Sequence, residues 1–140
     1  MRDKLQQHLF NLIDVTLQAR VAHWNVRGAN FSGLHGLFGE AYETLAAQTD
    51  DVAERIAQLG ALVDGSVTSV ANRSVYPNLK ASHDNTYFVK SISGRLEALC
   101  ADGVKLFNEA TAAGDHVTAN LIIDQSQALD KLAWLIKSHQ

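Results

Sequence analysis

Four side chains in this sequence could hold a transition metal: His23, His35, Asp50 and Glu54. Two imidazoles and two carboxylates make a donor set of borderline to hard character, suited to iron, manganese or zinc. Asp50 and Glu54 stand four residues apart, so on a helix they project from one face. Taken singly, none is diagnostic. An Asp/Glu pair usually marks a solvated helix face, and a lone helical histidine is usually structural. The four matter as a set, packed with their neighbours into residues 23 to 55.

Other chemistries lack their residues. No Glu-x-x-His occurs, although an intrachain di-iron bundle would use that spacing on facing helices. There is no His-Glu-x-x-His, no paired-cysteine zinc motif and no glycine-rich phosphate loop. The one cysteine, Cys100, cannot form an internal disulfide. It is expected as a small buried hydrophobe without support for nucleophilic catalysis.

The elements that must position the four residues read as helices. With one proline and nine glycines, most of the chain is free to be helical. The first helix is predicted over 3 to 25, with Asp3 as cap. Leu5, Leu9, Leu12, Thr16 and Ala19 form its inner stripe, widened by Ile13, Leu17 and Val21. It ends near Gly28, which is free to take positive φ.

Ser32 is the expected cap of a second helix running to about 59, striped by Leu34, Phe38, Ala41, Leu45, Val52, Ile56 and Leu59. Residues 60 to 81 form a long connection, in which a short helix fits around Val67 to Arg73. A third helix follows from 82 or 83 to 112, and a fourth from 115 or 116 to 138. Gly94 and Gly103 weaken the third, each by roughly 1 kcal/mol against alanine, or mark close helix approach. The expected fold is all-α: one domain over 1–140, a four-helix bundle with short, long and short connections.

Helix rise then constrains the metal set. His35 and Asp50 are fifteen residues apart on one helix, which separates them by roughly 22 Å. They cannot share an ion within one chain, and His23 lies at the His35 end. Either the chain holds two half-sites, or histidines of one copy meet carboxylates of another across a two-fold axis.

The run His23-Trp24-Asn25-Val26-Arg27-Gly28-Ala29-Asn30-Phe31, then Leu34-His35, Phe38 and Asp50-Asp51-Val52-Ala53-Glu54-Arg55, resembles the signature of the Dps family. These are the DNA-binding proteins from starved cells, or mini-ferritins. Leu129-Asp130-Lys131-Leu132-Ala133-Trp134 resembles the family's closing helix. The ligand spacings of 12, 15 and 4 residues make the match specific.

The resemblance implies a ferritin-like bundle assembled as a hollow homo-dodecamer with ferroxidase centres between subunits. His23 and His35 would come from one subunit, and Asp50 and Glu54 from its partner, with Glu54 bridging. It implies an enzyme that oxidises Fe(II), preferably with hydrogen peroxide, and stores Fe(III) inside the shell, protecting against oxidative stress. Zinc could substitute for iron. Trp24 matches an aromatic beside the site that intercepts radical electrons. Asp115, His116 and Asp124 are candidates for an acidic three-fold pore, Asp115 being equally a plain helix cap.

There are two departures. Where the family commonly has an aspartate one turn after the second histidine, this chain has Gly39. Glu40 points about 100° away, and Glu43, a turn further on, is a distant substitute. One tightly held metal is therefore expected more firmly than two. The lysine-rich N-terminal extension of DNA-binding members has no counterpart beyond Arg2 and Lys4. DNA binding through a basic tail is disfavoured, and so is strong nucleic-acid binding by a body of net charge -3. DNA compaction with secondary metal binding remains the alternative function. The first residues lack the apolar run of a signal peptide and no stretch approaches a membrane span, so a cytoplasmic location is expected.

Overall fold

The apolar stripes close into four long helices and one short one. The computed structural model describes residues 1–139. The helices are α1 (Arg2–Asn25), α2 (Phe31–Gln58), α3 (Val67–Arg73), α4 (Asn85–Ala112) and α5 (His116–Lys137). α1 packs along α2 and α4 along α5, and the two pairs meet through α1 against α4 and α2 against α5. Leu5, Leu9, Leu12, Phe38, Leu45, Ile56, Phe88, Leu96 and Ile122 fill the centre with almost no exposure. Phe38 meets Phe88 edge to face, with ring centroids 6.3 Å apart, linking the two pairs.

The crossover from α2 to α4 runs along the outside of α1 and is fastened at successive turns. Gln6 Nε2 donates to Asp64 O at 2.7 Å, and Gln7 Nε2 to Arg73 O at 2.8 Å. The Ser74 hydroxyl donates to Asp14 at 2.5 Å, and Gln18 Nε2 to Pro77 O at 3.0 Å. His83 Nδ1 then reaches Asn25 O at 3.0 Å. These bonds carry the chain from one end of the bundle back to the other, so α2 and α4 both start at the end where α1 stops. A buried reciprocal pair holds α2 against α5: Gln48 Nε2 donates to Gln125 O at 3.1 Å, and Gln125 Nε2 to Gln48 O at 3.2 Å.

Helix starts differ from expectation in three places. α1 begins after Met1 with no side-chain cap, so Asp3 lies inside its first turn. α2 is capped by Asn30 rather than Ser32, with φ 63 and ψ 16. Asparagine tolerates this left-handed conformation better than most side chains. α4 starts one turn past residue 82, because the Asp84 carboxylate accepts from the main-chain N–H of Thr86 and Tyr87. An aspartate that satisfies two orphan donors makes a stronger cap than Ser82 or His83.

Two burial expectations also change. Leu17 is 57% exposed and Ile13 and Val21 only partly buried. Leu17 stands on the outer face of α1, while Ile13 and Val21 flank the buried stripe and pack against the core. Cys100 is only partly buried, and burial together with Asp130 raises its thiol pKa, which leaves it a poor nucleophile.

The two helix-weakening glycines have different reasons. Gly94 is exposed and a Cβ there would meet nothing within 4 Å. At Gly103 a Cβ would overlap Ser126 Oγ on α5, and that hydroxyl donates to Ile122 O at 2.9 Å. Close approach of α4 and α5 therefore depends on Gly103. Gly94→Ala should stabilise the protein by about 0.5–1 kcal/mol in denaturant unfolding. Gly103→Ala should cost about 1 kcal/mol net, because turning Ser126 away strands a buried hydroxyl. Adding Ser126→Ala should recover that loss.

His8 is a buried polar residue in the α1–α4 packing, with no protein partner for Nδ1 among the described residues. Burial pushes its pKa down from 6.5 to about 4, against the opposing pull of Asp102. The unfolded chain therefore binds more protons than the folded one between those values. Stability should be full above pH 6.5 and fall as the pH drops from there towards about 4. His8→Leu should flatten that limb in unfolding curves measured across the same range.

Candidate metal centre

The histidines are brought together by the short connection between α1 and α2. α1 stops at Asn25, Gly28 takes φ 78, and Phe31 N–H closes the turn on Gly28 O at 3.1 Å. Asn85, the first residue of α4, clamps this turn. Its amide nitrogen donates to Arg27 O at 2.7 Å and to Ala29 O at 3.0 Å, while its oxygen accepts from Arg27 N–H at 3.3 Å. The sequence reading missed Asn85, because only packing brings α4 to the α1–α2 turn.

Within the turn, each histidine holds the other's main chain. His23 Nδ1 lies 2.7 Å from His35 O, and His35 Nδ1 lies 2.8 Å from His23 O. A carbonyl only accepts, so both Nδ1 atoms carry the proton and donate. That assigns the tautomer of both rings and leaves each Nε2 with a lone pair for a metal. The rings stack with centroids 3.7 Å apart and an 18° tilt, and Phe31 stacks on the far side of His35 at 4.9 Å. Both rings are half-buried.

Asp50 and Glu54 lie exposed on α2, far along the helix from the histidines. Among the described residues no three His, Cys, Asp or Glu side chains of one chain gather where they could hold an ion. The structure therefore unites the two histidines and keeps the two carboxylates apart from them. Gly39 packs against the His23 ring, and Glu40 and Glu43 are exposed. Trp24 is 68% exposed, with the Arg20 guanidinium 5.8 Å from its ring and 4.0 Å from that of Tyr42.

At the opposite end of α2, Asp115 serves as the cap of α5. One oxygen accepts from Thr118 N–H at 3.0 Å and from Arg55 Nη2 at 2.9 Å, and the other from the Thr118 hydroxyl at 2.5 Å. Both oxygens are thus engaged within the fold, while His116 and Asp124 are exposed. Arg55, next to Glu54, is the tether between α2 and α5.

A family profile described as the ferritin-like domain matches residues 2–140. A DNA protection during starvation protein of Helicobacter pylori is 36% identical over 119 residues, covering 84% of this chain and 82% of that one. One of Agrobacterium fabrum is 30% identical over 139 residues, covering 96% and 84%. Among solved structures, the DPS protein of Vibrio cholerae superposes with a TM-score of 0.93 at 25% identity, covering 99% of this chain and 87% of that one. Its description places it in a superfamily of ferritin-like diiron-carboxylate proteins. Dps92 of Deinococcus radiodurans gives 0.92 at 28% identity, covering 98% and 83%.

The Thr118 hydroxyl, with Arg55 beside it, holds the Asp115 carboxyl below its ordinary 3.8. A depressed carboxylate pKa adds stability above the ordinary value and loses it as pH falls below. Asp115→Ala should therefore cost about 1–2 kcal/mol at neutral pH through the lost cap. The gap to wild type should narrow below pH 3.8 in acid unfolding curves.

Proposed function

The chain belongs to the ferritin-like family, in its Dps branch, and on that premise we propose that it oxidises Fe(II) at centres shared between two copies and stores Fe(III) within a hollow dodecamer. One observation carries the reading: two histidines locked with both Nε2 atoms free, on the same chain as two carboxylates roughly 22 Å away by helix rise. His23 and His35 of one copy would face Asp50 and Glu54 of the next, each two-fold contact making two equivalent centres. The unburied apolar surface of α1 and the crossover supports a second copy. Leu17 is 57% exposed, Val67 86% and Leu62 97%. A monomer would gain from covering such a surface.

Iron here is substrate and cargo. The carboxylates favour the ion in both oxidation states and offset its rising charge, while the imidazoles add nitrogen donors that also suit zinc. Two Fe(II) ions each give one electron and hydrogen peroxide accepts both, taking two protons to leave two waters. Spending iron and peroxide together removes the ingredients of hydroxyl radicals, which accounts for protection against oxidative stress. Peroxide is proposed as the preferred oxidant over dioxygen. The relatives' names favour a second reading, DNA compaction by the shell surface with secondary metal binding. Among the described residues no helix is long and apolar enough to cross a membrane, and a cytoplasmic site of action is proposed.

Loading the protein with Fe(II) under anaerobic conditions and adding a stoichiometric peroxide pulse should give rapid optical oxidation. His23→Ala and Asp50→Ala should each abolish it, and equal rates in all three would sink the assignment. Co-expressing the two variants should restore about a quarter of wild-type activity, since one of the two centres in each mixed pair is intact. No recovery would refute sharing between copies, as would a monomer in solution that binds metal tightly. Retarded DNA in a gel at physiological salt would favour the second reading.

A further inference from the structure

We propose that the two-fold axis between two copies crosses α2 at Glu43, and that Arg20 of each copy pairs there with the partner's Glu43. The inference rests on the shared-centre reading above. In that reading α2 meets its own copy twice, His35 against the partner's Asp50 and Glu54, and the reverse. Symmetry makes the two contacts equal, so the two helices run antiparallel. The midpoint of the segment between the contacts then lies no farther from its copy than the ends lie from theirs. That midpoint falls at residues 43 and 44. Glu43 is exposed. By helix phase it stands opposite the buried stripe of Phe38, Ala41, Leu45 and Gln48, and within about 20° of Asp50. Gly39, Ala46 and Ala47 beside it are small, which lets a second helix pack closely.

Two Glu43 carboxylates beside one axis repel each other unless cations join them. Arg20 is the cation at that level. Its guanidinium lies 4.0 Å from the Tyr42 ring and 5.8 Å from the Trp24 ring. Among the described residues neither Arg20 nor Glu43 has an ion-pair partner in its own chain. The two rings hold the guanidinium before a partner arrives, which lowers the ordering cost of the contact. Leu17, one turn before Arg20 on α1 and 57% exposed, gives the pair an apolar flank. Unpaired charge of both signs and apolar surface thus meet at the one level of α2 that must face itself. The same register keeps Glu43 out of the metal centre. It is eight residues from His35 and seven from Asp50, roughly 10–12 Å along the helix from each.

Two measurements on the full chain test the contact. In a Cys100→Ser background, Glu43→Cys should be captured as a covalent dimer by a short bis-maleimide, because a residue on the axis faces its own copy. Ala101→Cys should not be captured, since it is exposed on α4, a helix that does not touch α2. No dimer from Glu43→Cys, or equal capture at 101, would overturn the axis. For the ion pair, Arg20→Glu and Glu43→Arg should each weaken association about tenfold or more in sedimentation, with helicity kept, and the double reversal should recover most of it. Wild-type association in both single variants, or a double variant weaker than either, would overturn the pairing. Peroxide-driven Fe(II) oxidation keeps the premise separate. A link at 43 with oxidation indifferent to His23→Ala and Asp50→Ala would remove the centre and leave the contact. Oxidation that needs both residues, without a link at 43, would overturn the contact and leave the centre.

Discussion

Two hydrogen bonds, each from the Nδ1 of one histidine to the main chain of the other, hold the end of this bundle that carries the candidate site. They tie the last turn of α1 to the first turns of α2. They also place a hydrogen on Nδ1 of both rings, because the carbonyls can only accept. The side chains that hold the turn are thus the same ones proposed as ligands. The five-residue turn between the helices, with Gly28 at positive φ and Asn30 left-handed, brings the rings face to face. Asn85 then fixes the turn from the second helical pair.

The rest of the bundle keeps that end in register. Gln48 and Gln125 repeat the device of reciprocal donation between α2 and α5, here with buried amides. Arg55 and Asp115 close the far end of the same helix pair, with side chains only 15% and 22% exposed. The crossover is bonded along α1 at successive turns, which fixes the relative direction of α2 and α4. Buried polar groups are costly unless paired, so each such pair selects one arrangement of helices that apolar packing alone would leave less defined.

Much of this was legible in the residue order. Apolar spacing placed all four long helices, because a helix that buries one face leaves a period near 3.6, and the break residues on either side left room for the short helix over Val67–Arg73. Helix starts were read less well. A cap depends on local geometry: the Asp84 carboxylate reaches two free N–H groups where Ser82 or His83 was expected, and Asn30 takes the cap position of α2 in place of Ser32 through its left-handed main chain, without a side-chain bond. Leu17 was read with the inner face of α1 because it is apolar, yet it is exposed. Composition does not distinguish surface turned to the bundle from surface left for another molecule.

The candidate site divides along the same line. Sequence alone singled out the candidate ligands and determined that one chain cannot unite them, since the distance from His35 to Asp50 follows from helix rise and needs no tertiary information. Tertiary structure alone decided that His23 and His35 face each other and that neither Nε2 is taken up by the crossed bonds. These depend on two helices meeting across a turn. Contacts at that junction join residues twelve positions apart, through the conformations of a glycine and an asparagine that no helical period encodes.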